Sequence, residues 1–165
     1  MEKYKSWSGL NKRLGEMLCD ELKDRISYFV TRYHTVHDSY GRAAIRLDGK
    51  ELVIFSWIET CHQENDISEL YPLDVCKSFD EIEKQLKPKW DSNCTYSEMD
   101  FLDAALRFRN MTIKDALESE NYIIRILGIM DKRVGNRTLS KIKEFGEYEH
   151  YPDWVQQFYR LRLSE

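Results

Sequence analysis

The sequence predicts an α+β fold: an N-terminal helix, a three-stranded antiparallel meander, then a mainly helical C-terminal half packed on the sheet. Three observations carry this. Residues 8–23 repeat Leu10, Leu14, Met17, Leu18 and Leu22 at helical spacing. Residues 25–58 hold three runs rich in β-branched and aromatic side chains, two of them joined by Asp48-Gly49. From Ser78 onward, capping residues alternate with short apolar segments of helical period.

The elements follow in order. Ser8 is placed to cap the first helix. The first strand spans about 25–36, around Ile26, Tyr28, Phe29, Val30, Thr31 and Tyr33. The second, 42–47, sets Ala43, Ile45 and Leu47 against Arg42, Ala44 and Arg46. Asp48-Gly49 predicts a type I′ hairpin with positive φ at Gly49, and the third strand runs from Lys50 to about Ile58. Residues 59–77 are irregular. Ser78-Phe79-Asp80-Glu81 forms a capping box for a short helix ending before Pro88. Ser97, Thr112 and Asn121 start further helices, with Gly135 as a C-cap of the third. A helix over 137–145 precedes a last one with Pro152 in its first turn.

The 165 residues suit one domain, 1–165, large enough to bury a core without staples. The net charge of −4 argues against a dedicated nucleic-acid binder, though not against a local basic patch. An aromatic content of 13% exceeds what a core needs and suits interface anchors. The chain opens without an apolar signal core and has no apolar run of about 20 residues, which predicts a cytoplasmic protein without membrane attachment. Cys19, Cys61, Cys76 and Cys94 form no C-x-x-C pair and are expected to be free thiols. No nucleotide, hydrolase or metal motif is present, so no cofactor, metal or catalytic residue is assigned and an enzyme is the less favoured class.

Three weak constellations remain. His34, His37 and Asp38 could form an acid–base or ligand set, but a strand end and loop carry such residues for purely local reasons. A straight register pairs Phe29, Thr31 and Tyr33 with Leu47, Ile45 and Ala43, and these in turn with Lys50, Leu52 and Ile54. The opposite face then gathers Arg32, His34, Arg42 and Arg46 beside Val53, Phe55 and Trp57, a surface suited to an anion. Pairing of Arg46 with Glu51 is the structural alternative. Third, residues 125–143 hold six bases, Arg133 and Arg137 among them, against one acid. These could grip phosphates or pair with the acidic stretch 59–83, which has eight acids and one base.

Trp7-Ser8-Gly9-Leu10, Leu18-Cys19-Asp20-Glu21-Leu22-Lys23, His37-Asp38-Ser39-Tyr40-Gly41-Arg42, the run from Asp131 to Leu139 and Phe158-Tyr159-Arg160-Leu161-Arg162 follow one another along the chain. In that order they resemble an uncharacterised bacterial family of small cytoplasmic proteins of the Shigella hypothetical-protein type. The resemblance covers the first 60 and last 45 or so residues and implies a bacterial, intracellular, one-domain protein, with no activity or site to carry over. Size, acidity, aromatic content and the missing catalytic motifs together favour a protein-binding module, such as an immunity-type inhibitor of a toxin. A nucleic-acid or phosphate-ligand binder using the basic sheet face or residues 125–143 is the alternative, and an enzyme near His34, His37 and Asp38 a third.

Overall fold

The computed structural model describes residues 6–32, 41–56 and 78–164. Helix α1 (Trp7–Met17) is capped by Ser6, whose hydroxyl accepts from the Gly9 amide, two residues earlier than the predicted Ser8 cap. It buries Leu10, Leu14 and Met17, then stops short of residue 23 because its end is taken by another contact. The Cys19 amide donates to the Met130 carbonyl at 2.9 Å, and the Lys132 amide to the Met17 carbonyl at 2.8 Å. This two-bond bridge pulls Leu18 into extended conformation, and Leu22 reaches the core from a turn.

Strands β1 (Ile26–Arg32), β2 (Gly41–Leu47) and β3 (Lys50–Phe55) form the predicted antiparallel meander. Asp48 and Gly49 have φ of 50° and 81°, the double positive φ of a type I′ turn. Arg25 braces this turn by an ion pair with Asp48 at 3.0 Å.

The predicted register needs two corrections. Tyr28 lies opposite Ile45 and Phe29 opposite Ala44, three residues from the pairing expected, and because the shift is odd Ile26 and Tyr28 face the core instead of Phe29 and Thr31. Between β2 and β3, Leu47 faces Lys50 and Arg46 faces Glu51, but Ile45 faces Val53. Leu52 is the extra residue of a bulge, which turns Val53 and Phe55 inward with Ala43 and Ile45. Val53 and Phe55 therefore belong to the core and not to the arginine face.

Helix α2 (Phe79–Asn93) opens with the expected Ser78–Glu81 capping box but continues through Pro88. Pro88 forgoes one backbone bond. Contacts beyond it hold the last turn: the Trp154 indole donates to the Asp91 carbonyl at 2.6 Å, and Cys94 closes the helix in left-handed conformation. Helices α3 (Glu98–Phe108), α4 (Ile113–Leu117) and α5 (Tyr122–Ile129) start at Ser97, Thr112 and Asn121 as the sequence predicts. Helix α5 is buried over Ile123, Ile124, Ile126, Leu127 and Ile129, and Gly128 lets it approach Ala116 of α4, where a Cβ would sit 3.2 Å from the alanine methyl. Gly135 is the N-cap of α6 (Asn136–Phe145) and not a C-cap of α5. A 3₁₀ turn (Glu147–His150) leads to α7 (Asp153–Leu163), with Pro152 just outside its first turn.

One core joins sheet and helices. Phe101 of α3 stacks on Phe55 of β3 at 5.2 Å, and Phe101, Phe55, Ile45 and Phe158 are all without solvent exposure. Burying side chains of this size is worth roughly 1.5–3 kcal/mol each. Cys19 and Cys94 are free thiols, with the Cys94 thiol pushed well up by burial, while Cys61 and Cys76 lie outside the described residues. No helix among the described residues is long and apolar enough to cross a membrane.

Candidate functional site

Three places in this fold concentrate charge or apolar surface. The outer face of the sheet is the first. Arg42 donates to Glu51 Oε1 at 2.7 Å and also reaches Oε2, while Arg46 donates to Oε1 at 3.1 Å. The Arg46 guanidinium also lies 4.3 Å over the ring of Phe29, which the shifted register has turned outward. Hydrogen bonds from Arg42 and then Arg46 hold the Glu51 carboxyl down at about 2, against the opposing effect of burial. Two guanidinium groups thus share one carboxylate across neighbouring strands, as the cross-strand reading of Arg46 and Glu51 anticipates. Arg32 pairs with Gly41 at the end of β1 and is described for its backbone alone. His34, His37, Asp38 and Trp57, with the acidic residues 59–77, lie outside the described residues.

The basic stretch 125–143 divides in two. Arg125 and Arg133 are consumed by the fold. Arg125 donates to the Ser119 carbonyl and the Tyr151 hydroxyl and lies 4.8 Å from the Tyr151 ring centre. Arg133 forms a forked pair with Asp131, which is 1% exposed, through Nε at 3.0 Å and Nη2 at 2.8 Å, and donates to the Met111 carbonyl at 2.9 Å. Lys132, Arg137, Lys141 and Lys143 are exposed and make no ion pair among the described residues.

One of them, Lys141, lines the second place, a groove between α4 on one side and α6 with the following 3₁₀ turn on the other. It encloses about 340 Å³. Ile113 and Leu117 form one wall, Ile142 and Phe145 the other, and Tyr148 and Tyr151 the floor. The sequence explains the geometry. Leu139, Ile142 and Phe145 recur at i, i+3 and i+6 on a helix that buries no residue, so its apolar stripe is only half covered. Gly146, at φ 64°, ends α6 and swings the chain so that Tyr148 stacks on Tyr159 at 5.4 Å. Phe145 remains 70% exposed at the lip. Sequence reading of 137–143 attended to its bases and missed this groove. The available signals were the apolar stripe of α6 and the Tyr148, Tyr151 and Tyr159 cluster that follows it.

The third place is a polar cleft of about 680 Å³ between α2, the start of α3 and residues 119–121. Lys87 pairs with Asp91 at 2.7 Å, and the Tyr96 hydroxyl donates to the same carboxylate. Trp90 Nε1 and Thr95 Oγ1 are buried here without a hydrogen-bond partner among the described residues. Among the described residues no group of three His, Cys, Asp or Glu side chains is placed to hold a metal ion. The groove is lined mainly by apolar and aromatic side chains with a few charges, the combination that interfaces use.

No curated protein and no solved structure matches the chain. A model of the SF0329 protein family matches residues 6–163. With almost its whole length inside that match, the chain belongs to the SF0329 protein family.

Proposed function

We propose that the protein is a cytoplasmic protein-binding module of bacterial origin that docks its partner on the groove between α4 and α6. The observation that carries this reading is Phe145, a large apolar side chain 70% exposed at the lip of an aromatic groove. Leaving such a ring in water forgoes roughly 1.5–3 kcal/mol that burial under a partner would recover. An immunity-type inhibitor, which must present a ready-made surface to a toxin, is the finer form of the same proposal. The test is a photo-crosslinking phenylalanine analogue at position 145 in the source cell. A discrete protein adduct, absent when the analogue replaces exposed Lys12 on α1 instead, is expected; adducts to nucleic acid alone, or none at all, would overturn the reading.

A second reading has its own observation. Lys132, Arg137, Lys141 and Lys143, four cations with no ion pair among the described residues, suit a phosphate backbone. In that case single-stranded RNA binds at low salt, and each lysine or arginine removed lowers the salt slope by about one. Absence of RNA binding above that of an equally acidic control protein ends it. The apolar lining favours the protein partner, because a phosphate backbone gains nothing from Ile113, Leu117 and Ile142. An enzyme at His34, His37 and Asp38 rests on residues outside those described.

A further inference from the structure

The groove has an electrical polarity, and from it the geometry points to one kind of occupant: an amphipathic helix with acids in its first turns and bases in its last, lying parallel to α6. This rests on the protein-docking reading above.

Three hydrogen bonds from two arginines fix how the walls of the groove run. Arg133, just before α6, donates to the carbonyl of Met111, just before α4, so the N-terminal ends of the two walls lie together. Arg125 donates both to the Ser119 carbonyl, just after α4, and to the Tyr151 hydroxyl, just after the 3₁₀ turn, so their far ends also meet. The charges then sort along the axis. Among the lining residues, Lys114 of α4 and Lys141 of α6 precede, along the two walls, Glu118 at the end of α4 and Glu147 in the 3₁₀ turn, while Lys143 and Glu144, adjacent on the last turn of α6, lie outside the lining. None of these side chains has an ion-pair partner among the described residues. The apolar lining runs between the two ends as a continuous trough.

An occupant must therefore offer an apolar stripe to the trough, carboxylates to the near end and cations to the far end. A helix supplies a stripe at i, i+3, i+4 and i+7, and this is how amphipathic segments enter grooves. Acids early and bases late are also the arrangement a helix tolerates best within its own dipole. The opposite orientation would set like charges against each other at both ends.

The test uses two synthetic helical peptides of identical composition and identical leucine stripe, one with glutamates first and lysines last, the other reversed, measured by fluorescence anisotropy at low salt. The glutamate-first peptide is expected to bind about tenfold more tightly, about 1.4 kcal/mol. Lys141→Glu with Lys114→Glu should abolish or reverse that preference. Phe145→Glu, whose side chain is exposed and whose fold is checked by circular dichroism, should weaken both peptides. Equal affinities, or preference for the reversed peptide, would overturn the inference. So would a concentration-dependent dimer in light scattering that Phe145→Glu dissolves, since the occupant would then be a second copy. If crosslinking at position 145 captures a protein while neither peptide binds, docking stands and the helix falls; if nothing is captured, both fall.

Discussion

The outer face of the sheet and the α6 side of the groove are both basic by sequence, yet the fold treats them in opposite ways. On the sheet, Arg42 and Arg46 converge on Glu51, and Arg46 covers Phe29. Along α6, Arg137, Lys141 and Lys143 face water with no carboxylate to meet them among the described residues, and Phe145 is bare. The difference lies in secondary structure. Neighbouring strands place an arginine opposite a glutamate at fixed separation. A solvent-facing helix meets a second element on one stripe alone, so its other charges find partners only three or four residues away. Charge that the fold has satisfied stabilises; charge it has left open is available to something else.

The largest expected effect comes from under the sheet. Ile45 has no solvent exposure, and Ile45→Asp should cost more than about 4 kcal/mol and unfold both regions together, read as loss of the cooperative thermal transition. A smaller loss follows from Asp131→Ala. Breaking a buried pair costs about 3–5 kcal/mol, but Arg133 is 38% exposed and can rehydrate, so about 2–3 kcal/mol is expected in urea denaturation. That variant would also turn Arg133 from a satisfied cation into an open one.

Glu51→Gln sharpens the contrast from the other side. It should cost about 1 kcal/mol, because the pair is partly solvated. Its pH signature is more telling. The Glu51 carboxyl sits at about 2 in the fold against an ordinary 4.5, so its contribution is present above the ordinary value and is lost as pH falls from there toward 2. The variant should lack that part of the acid destabilisation. The smallest effect belongs to α6: Arg137→Ala with Lys141→Ala should change stability by no more than about 0.5 kcal/mol in the same denaturation series. A clear loss there would mean these cations have partners and would erase the contrast.

Local chemistry made most of the elements legible. Asp48-Gly49 demands positive φ twice, and the Ser78 and Ser97 boxes close on their own third residues, so neighbours in sequence decide them. What stayed hidden was decided at long range. The bulge at Leu52 turns Val53 into the core and Phe55 onto Phe101 of α3, and no strand reveals that alone. Pro88 is tolerated because Trp154, far along the chain, holds the turn beyond it. The sorting of bases runs against that rule: the tight hairpin already predicts Arg46 opposite Glu51, whereas Arg133, only two residues from Asp131, shows its partner only once the turn before α6 is known. The groove required two separate elements to leave a gap, which no periodicity within either one records.

The bridge between residues 17–19 and 130–132 has a consequence for synthesis. Its halves are more than a hundred residues apart, so α1 leaves the ribosome long before its docking strand exists. At roughly 5–20 residues per second the wait is about 6–20 s. Throughout that interval the Met17 carbonyl and the Cys19 amide lack their partners, although β1 and then α3, on which α1 packs, are already made, and a nascent chain halted before residue 130 should leave the end of its first helix more open to proteases. Release past that point should add the two bonds at Met17 and Cys19 and complete the seating of α1.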